Sequence, residues 1–415
     1  MKIEVVAIGD DLLSGLTVNS NAAFISREIR FLGWQVSQHI TLPDHPEALK
    51  KGLQEALERS SCVIATGGLG PTCDDRTRAI AANMFNSPMH FDAKVAEDLK
   101  RRYGENLSVL KEMATVPAKA EVLLNTVGCA PGFIFQAQGK VLILLPGVPI
   151  EMQAMFLEKA LPFLKLHFAS EQNVKTDLIH FCLMNENEID PVVRSIKEKY
   201  PGIECGIYPG YGSLTLLLLS KNESELKLAK QEIAAKFPRK IFSSPNGKIE
   251  EALHEWFLKN KKTLACAESC TGGMIAEKVT ANAGASEYFL GSLVTYSNAF
   301  KRKILLVSET TLKNKGAVSE ETVREMLEGL FKVTETDFGI AASGIAGPGG
   351  GTAQKPVGTI FAAIGERGKA PDVGMLQMKG TRHTIMLMTT FQLIGALWRK
   401  VVHQVPAFHF RGNYE

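Results

Sequence analysis

Short apolar runs of strand length alternate with helical patterns from the start of the chain, and this alternation restricts the fold more than any other feature. Residues 3–8 form a buried-type strand ended by Gly9-Asp10. Residues 19–32 carry apolar positions at helical spacing behind Asn19 or Ser20 as a cap. Residues 36–42 give a second strand, 46–60 a second helix, 62–66 a third strand and 76–85 a third helix. Such alternation predicts an α/β fold: a parallel sheet covered on both faces, with ligands at the carboxyl ends of its strands. The loop Gly67-Gly68-Leu69-Gly70-Pro71-Thr72-Cys73-Asp74-Asp75 lies at such an end. Its amides suit a phosphate, and Asp74 or Asp75 suits a divalent cation. Two aspartates opening a helix also complement the helix dipole with no metal at all.

The pattern continues in two further segments. Residues 172–240 alternate strand, helix, strand and helix at 176–184, 186–199, 213–220 and 223–237, and residues 241–248 read as a linker. Beyond it come helices at 249–259, 274–280 and 320–331, strands at 338–343, 357–364 and 374–378, and a last helix at 383–402. In that helix Leu387, Phe391, Ile394, Trp398 and Val401 recur at core spacing. A chain of 415 residues has room for two or three such domains.

Composition excludes several classes. A net charge of +3 gives no basis for nucleic-acid or membrane binding, and no apolar run approaches membrane-spanning length. Seven scattered cysteines form no disulfide framework and no C-x-x-C pair. A soluble protein of a reducing compartment, cytoplasmic, is expected.

Residues 263–301 carry the densest chemistry. A short apolar strand ends in Glu268, Ser269, Cys270 and Thr271, then Gly272-Gly273 leads into a helix. Gly284-Ala285-Ser286 makes a small-residue turn, an aromatic and β-branched run ends at Tyr296, and Ser297-Asn298 caps a helix carrying Lys301, Arg302 and Lys303. A glycine pair at a strand-to-helix turn is expected to point free amides at a ligand. Taken singly, Ser269 reads as a helix cap, Ser286 as a turn residue, Tyr296 as an edge-strand aromatic and the basic trio as a solvated face. A second glycine cluster, residues 343–351 (SGIAGPGGG), and a basic stretch at 379–383 tilt the balance toward a site.

The strings AESCTGG, GAS, TYSNAFK, GAVSEE, SGIAGPGGG and KPVGT, in this order, resemble the C-terminal domain of the CinA family. GDDLLSG, TGGLGPTCDDRTR, GCAPGF and LPGVPIEM resemble that family's N-terminal domain. The resemblance implies a molybdopterin-binding-like three-layer domain at 1–168, a KH-like α/β domain at 172–240 and an α/β deamidase domain at 249–405. It implies hydrolysis of the carboxamide of nicotinamide mononucleotide to nicotinate mononucleotide and ammonia, without cofactor. The alternatives are metal-dependent ADP-ribose pyrophosphate hydrolysis by the first domain, or a nucleotide- or pterin-binding protein with vestigial sites. The expected partner is a small-molecule nucleotide, with neither nucleic acid nor membrane, and a homodimer is expected.

Site residues follow from the same resemblance. Ser286 is the preferred nucleophile, with Tyr296 and Lys301 shuttling its proton, and Ser269 is the competitor. Thr271, Gly272 and Gly273 are expected around the substrate. Ser343 stands where the family usually has Thr, and with Gly344, Gly347, Gly349, Gly350 and Arg382 it suits the phosphate or the oxyanion. In the first domain Asp10, Asn21, Gly67, Gly68, Gly70, Thr72, Asp74, Asp75 and Glu151 are expected at the nucleotide, with Asp74 and Asp75 on the metal. Leu110 and Met113 stand where the family places amide side chains, and Asp11 and Cys129 also depart from its pattern. An apolar side chain offers a nucleotide no hydrogen bond, so cleavage in this domain is expected to be slow.

Overall fold

A computed structural model describes residues 2–72, 74–104, 109–168 and 174–408. The chain divides into two compact units, Met1–Thr176 and Asp177–Glu415. The stretch near residue 170 where the first boundary was expected lies largely outside the described residues.

The first unit holds β1 (Ile3–Ile8), β2 (Val36–Leu42), β3 (Cys62–Thr66), β4 (Met89–Phe91), β5 (Thr115–Pro117), β6 (Glu121–Leu123), β7 (Gly132–Ala137) and β8 (Lys140–Leu145). Its main sheet runs β2-β1-β3-β8-β7-β6. β2, β1, β3 and β8 are parallel, whereas β7 and β6 pair antiparallel, so the sheet is mixed and not wholly parallel as expected. The two-residue period sends Val6, Val63 and Ala65 into one core and Ile3, Val5 and Ile64 into the other. Burial on both faces is why β1 and β3 read as continuous apolar runs. Glu4 is the exception on β1, and its carboxylate accepts two bonds from the Arg59 guanidinium.

The second unit begins with a four-stranded sheet, β10-β11-β9-β12, built from β9 (Lys175–Cys182), β10 (Glu204–Pro209), β11 (Ser213–Ser220) and β12 (Ile241–Phe242). Helices Glu186–Lys199 and Glu223–Lys236 bury Ile189, Val193, Leu226 and Ile233 in one core with Phe181 and Leu216. Ile241 and Phe242, read as linker from the sequence, pair antiparallel with β9. A run of two residues is too short to carry a strand signal of its own.

The remainder holds β13 (Leu264–Glu268), β14 (Phe289–Val294), β15 (Phe338–Gly344), β16 (Thr359–Glu366) and β17 (Asp372–Gln377), in the order β14-β13-β15-β16-β17. β14, β13 and β15 are parallel, and β16 and β17 are antiparallel to their neighbours. Leu264 and Cys266 face the core that takes Leu253, Phe257, Ile275, Leu393 and Leu397. Ala265 and Ala267 face the core that takes Leu305, Val323, Met326 and Leu330. Helix Arg382–His403 is, contrary to expectation, long and apolar enough to cross a membrane by length and composition. Here it is a core helix buried on more than one side: Ile394 and Trp398 are buried as read, and Leu393, Ala396 and Leu397 are buried as well. Phe391 is only partly buried and stacks on Tyr211, with ring centroids 6.5 Å apart.

Candidate active site

The three parallel strands β14, β13 and β15 end at one edge, and their carboxyl ends deliver Tyr296, Ser269 and Ser343. Each is placed by local chemistry. The Ser269 amide donates to the Ala342 carbonyl of the neighbouring strand (3.0 Å), which holds the start of the turn against the sheet. The Ser297 hydroxyl caps helix Asn298–Leu305 by accepting from the Phe300 amide (3.1 Å). In that helix Lys301 and Leu305 lie one turn apart on the same face, and both are buried. Arg302 pairs outward with Glu309, so the solvated-face reading holds for Arg302 and fails for Lys301.

Lys301 is 1% exposed, and its Nζ has three acceptors. It donates to Ser269 Oγ (2.8 Å), to the Thr295 carbonyl (2.8 Å) and to the Tyr296 carbonyl (3.2 Å). Among the described residues no carboxylate pairs with it. Burial without a counter-charge lowers its pKa from the ordinary lysine value to about 8, against a small opposing pull from Cys270. Ser269 is itself buried at 7% exposure and lines, with Cys270, Tyr296, Lys301, Ser343 and Arg382, a cleft of about 190 Å³. A larger hollow of about 360 Å³ between Leu327, Phe331 and the turn at 367–371 presents no hydroxyl nucleophile. It lies by the opposite end of β15, where Phe338 pairs with Glu366. Size alone does not locate the site.

Ser286 is corrected. It sits exposed in the short turn Ala285–Glu287 ahead of β14. β13 and β14 are parallel with Leu264 opposite Phe289, so Ser286 precedes one end of the sheet and Ser269 follows the other. Five residues of strand put them roughly 16 Å apart or more. Tyr296 lines the same cleft as Ser269 and Lys301. It meets Lys301 through its main-chain carbonyl, while its phenol turns outward and accepts from Arg382 Nη2 (2.6 Å). Arg382 Nη1 donates to the Gly347 carbonyl (2.7 Å), so this guanidinium ties the cleft rim to the glycine loop.

The glycine pair is corrected as well. The Gly272 amide donates to the Ser269 carbonyl (3.2 Å) and the Gly273 amide to Glu268 Oε2 (2.9 Å), so neither faces a ligand. Thr271 is wholly buried, and Gly349 and Gly350 are exposed, outside the cleft lining. Gly344 does line the cleft, and Ser343 donates its hydroxyl to the Ala317 carbonyl (2.7 Å). The wall at Ala317 and Val318 is held from behind by Lys355 Nζ, which donates to the Lys315 and Val318 carbonyls. Cys270 borders the nucleophile, yet burial pushes its thiol up to about 12, which removes it as a thiolate near neutral pH.

In the first unit the loop after β3 is built on close approach. A Cβ on Gly68 would stand 2.1 Å from Thr77 Oγ1, and φ is +67° there. Asn21 donates Nδ2 to the Gly147 carbonyl (2.8 Å) and leaves its buried Oδ1 without a partner. The Asp75 carboxylate, expected on a metal, turns back onto its own loop and accepts from the Thr72 amide (2.9 Å) and hydroxyl (2.5 Å). A Cβ on Gly70 would also meet that carboxylate, 2.6 Å from Asp75 Oδ2. Glu151 accepts from Asn125 Nδ2 (2.7 Å) and packs against Gly128. The Asp10 amide donates to Asp44 (3.0 Å), whose carboxyl pKa is raised first by burial and then by the like charges of Asp10, Asp11 and Asp74. Among the described residues no group of three or more His, Cys, Asp or Glu side chains is placed to hold a metal ion. Met113 is wholly buried and Leu110 packs on the same core, so these positions serve packing.

Residues 246–400 match the family model described as the CinA C-terminal domain, and residues 4–166 match that of a probable molybdopterin binding domain. A putative competence-damage inducible protein of Clostridium botulinum strain Okra is 34% identical over 411 residues, covering 97% of this chain and all of the relative. The chain belongs to the CinA family. A CinA-like protein of Syntrophus aciditrophicus is 37% identical over 377 residues, covering 88% of this chain and 90% of that one. The solved structure of a CinA protein of unknown function from Thermoplasma acidophilum is 34% identical and covers 39% of this chain and 96% of its own, with a TM-score of 0.37.

Sequence reasoning about this CinA chain missed Glu268, Thr295, Ala317 and Val318. Thr295, Ala317 and Val318 contribute through main-chain carbonyls or as cleft lining, which residue type does not advertise. Glu268 was visible as a carboxylate within an apolar strand, a burial conflict that demands a partner.

Proposed function

We propose that the C-terminal part of this CinA chain hydrolyses the carboxamide of nicotinamide mononucleotide, with Ser269 as nucleophile and Lys301 as its base. The observation that carries this reading is the 2.8 Å bond between Lys301 Nζ and Ser269 Oγ, in a buried setting that brings the lysine pKa down to about 8. A lysine near 8 is neutral often enough around neutral pH to take the hydroxyl proton. Ser269 Oγ then attacks the amide carbon, and Lys301 passes the proton to the leaving nitrogen, which departs as ammonia. Water attacks the resulting ester, with Lys301 again taking a proton, and releases the carboxylate and free Ser269. The substrate is the part supported by family resemblance. Arg382 at the rim supplies a cation for its phosphate.

The module around β9–β12 is read as KH-like with a structural role. The rival activity, metal-dependent pyrophosphate hydrolysis in the first unit, draws no support from a converging ligand set among the described residues. Ammonia release from nicotinamide mononucleotide by wild type, Ser269→Ala and Ser286→Ala tests the reading. Loss in the first variant and retention in the second is expected. The reverse pattern overturns it.

A further inference from the structure

The four donors that converge on Glu268 tie together two segments that border the candidate active site. Glu268 is wholly buried at the end of β13, and among the described residues no lysine or arginine pairs with it. Its Oε2 accepts from the Gly273 amide (2.9 Å) and the Ile275 amide (3.1 Å). Its Oε1 accepts from the Ala276 amide (3.1 Å) and the Ser292 hydroxyl (2.8 Å). Three of these donors belong to the turn and helix start that follow Ser269. The fourth belongs to β14, whose continuation supplies the Thr295 and Tyr296 carbonyls that hold Lys301. The Glu268 carbonyl adds a further tie by accepting from the Thr295 amide (2.9 Å).

We infer that Glu268 is a positioning residue that fixes the Ser269 turn against the carbonyl cage of Lys301, and so sets the distance between nucleophile and base. The inference rests on the reading of Ser269 and Lys301 as the deamidating pair. A carboxylate is the one side chain of this length that accepts from four donors and donates to none. Glutamine has a single oxygen and an NH2 group. In either orientation it presents N–H to at least one of the three amides, which cannot turn away. The Ser292 hydroxyl can rotate and accept, so the strain falls on the Ser269 side of the junction. Catalysis by proton transfer feels such displacement strongly, since a shift of about 1 Å can cost about 100-fold in rate.

The experiment measures kcat, KM, the pH midpoint of kcat and Tm for the full-length chain carrying Glu268→Gln, Ser292→Ala or Ser292→Thr, with Ser269→Ala alongside. Expected for Glu268→Gln is a fall in kcat of about tenfold or more, with KM little changed and the pH midpoint moved upward as the lysine cage loosens and admits water. Ser292→Ala should show the same signature at smaller size with Tm nearly unchanged. Ser292→Thr, which keeps the hydroxyl, should restore kcat and midpoint. If Glu268→Gln does not fold, the two Ser292 variants decide the matter alone. Wild-type kcat and midpoint in Ser292→Ala overturn the inference, as does a fall in Tm with the midpoint unmoved. Full turnover by Ser269→Ala overturns the reading of the pair and the inference with it. A dead Ser269→Ala beside unaffected Ser292→Ala and Glu268→Gln removes the inference only.

Discussion

Lys301 Nζ lies 2.8 Å from Ser269 Oγ, and its other two acceptors are main-chain carbonyls. A buried ammonium whose hydrogen-bond partners are all neutral is poised to lose its proton, because burial strips its hydration and no carboxylate among the described residues pairs with it. The relationship has consequences for rate and for stability.

The deamidation rate should rise with pH and reach half its plateau near pH 8, where burial places the Lys301 pKa. The base must be neutral to accept the serine proton, so activity falls as pH drops below that value. A kcat/KM profile measured from pH 6 to 10 checks this. A flat profile would separate Lys301 from the proton transfer.

Lys301→Met should abolish turnover and alter the pH dependence of stability. Below about pH 8 the lysine is protonated both folded and unfolded, and the folded wild type carries the full cost of burying the charge. Between about 8 and the ordinary 10.5 only the unfolded chain holds that proton, so wild-type stability should gain on the variant as pH rises. Parallel denaturant titrations of the two proteins at pH 7 and pH 10 measure the difference. An unchanged gap would mean the lysine is not depressed.

Arg382→Ala should raise KM for the mononucleotide by about tenfold or more with a smaller effect on kcat, because a phosphate contact binds ground state and transition state alike. Nicotinamide riboside, which has no phosphate, should be a poor substrate whose KM ignores the change. Loss of the Arg382 bonds to Tyr296 and Gly347 should add a modest fall in kcat for both substrates. Steady-state kinetics on the pair of substrates tests this, and equal KM sensitivity would remove Arg382 from phosphate recognition.

Met113→Gln should destabilise the first unit by about 1–3 kcal/mol rather than restore any activity, since an amide would be buried without a partner in its core. Thermal unfolding of a variant and a wild-type preparation compares them. A rise in pyrophosphatase rate with unchanged stability would return this position to the site.

The sequence alone placed many of the elements in their order. β1, β2, β3, β11 and the helices Glu186–Lys199 and Met274–Thr280 lie where periodicity and caps place them, because those signals are local and each element answers to its own residues. It also determined that Ser269, Tyr296, Lys301, Ser343 and Arg382 belong to one region, through motifs quoted from the chain. The tertiary structure decided which hydroxyl the lysine meets. Ser286 is ten residues from Tyr296 and Ser269 is twenty-seven, yet the parallel pairing of β13 and β14 brings the distant one to Lys301 and sends the near one to the far end of the sheet. Strand direction is a property of the pairing and not of either strand, so no local pattern records it. The same holds for Asp75 and the Gly272-Gly273 pair. Their residue types promised groups free for a ligand, and only the folded chain shows those groups bonded within the protein.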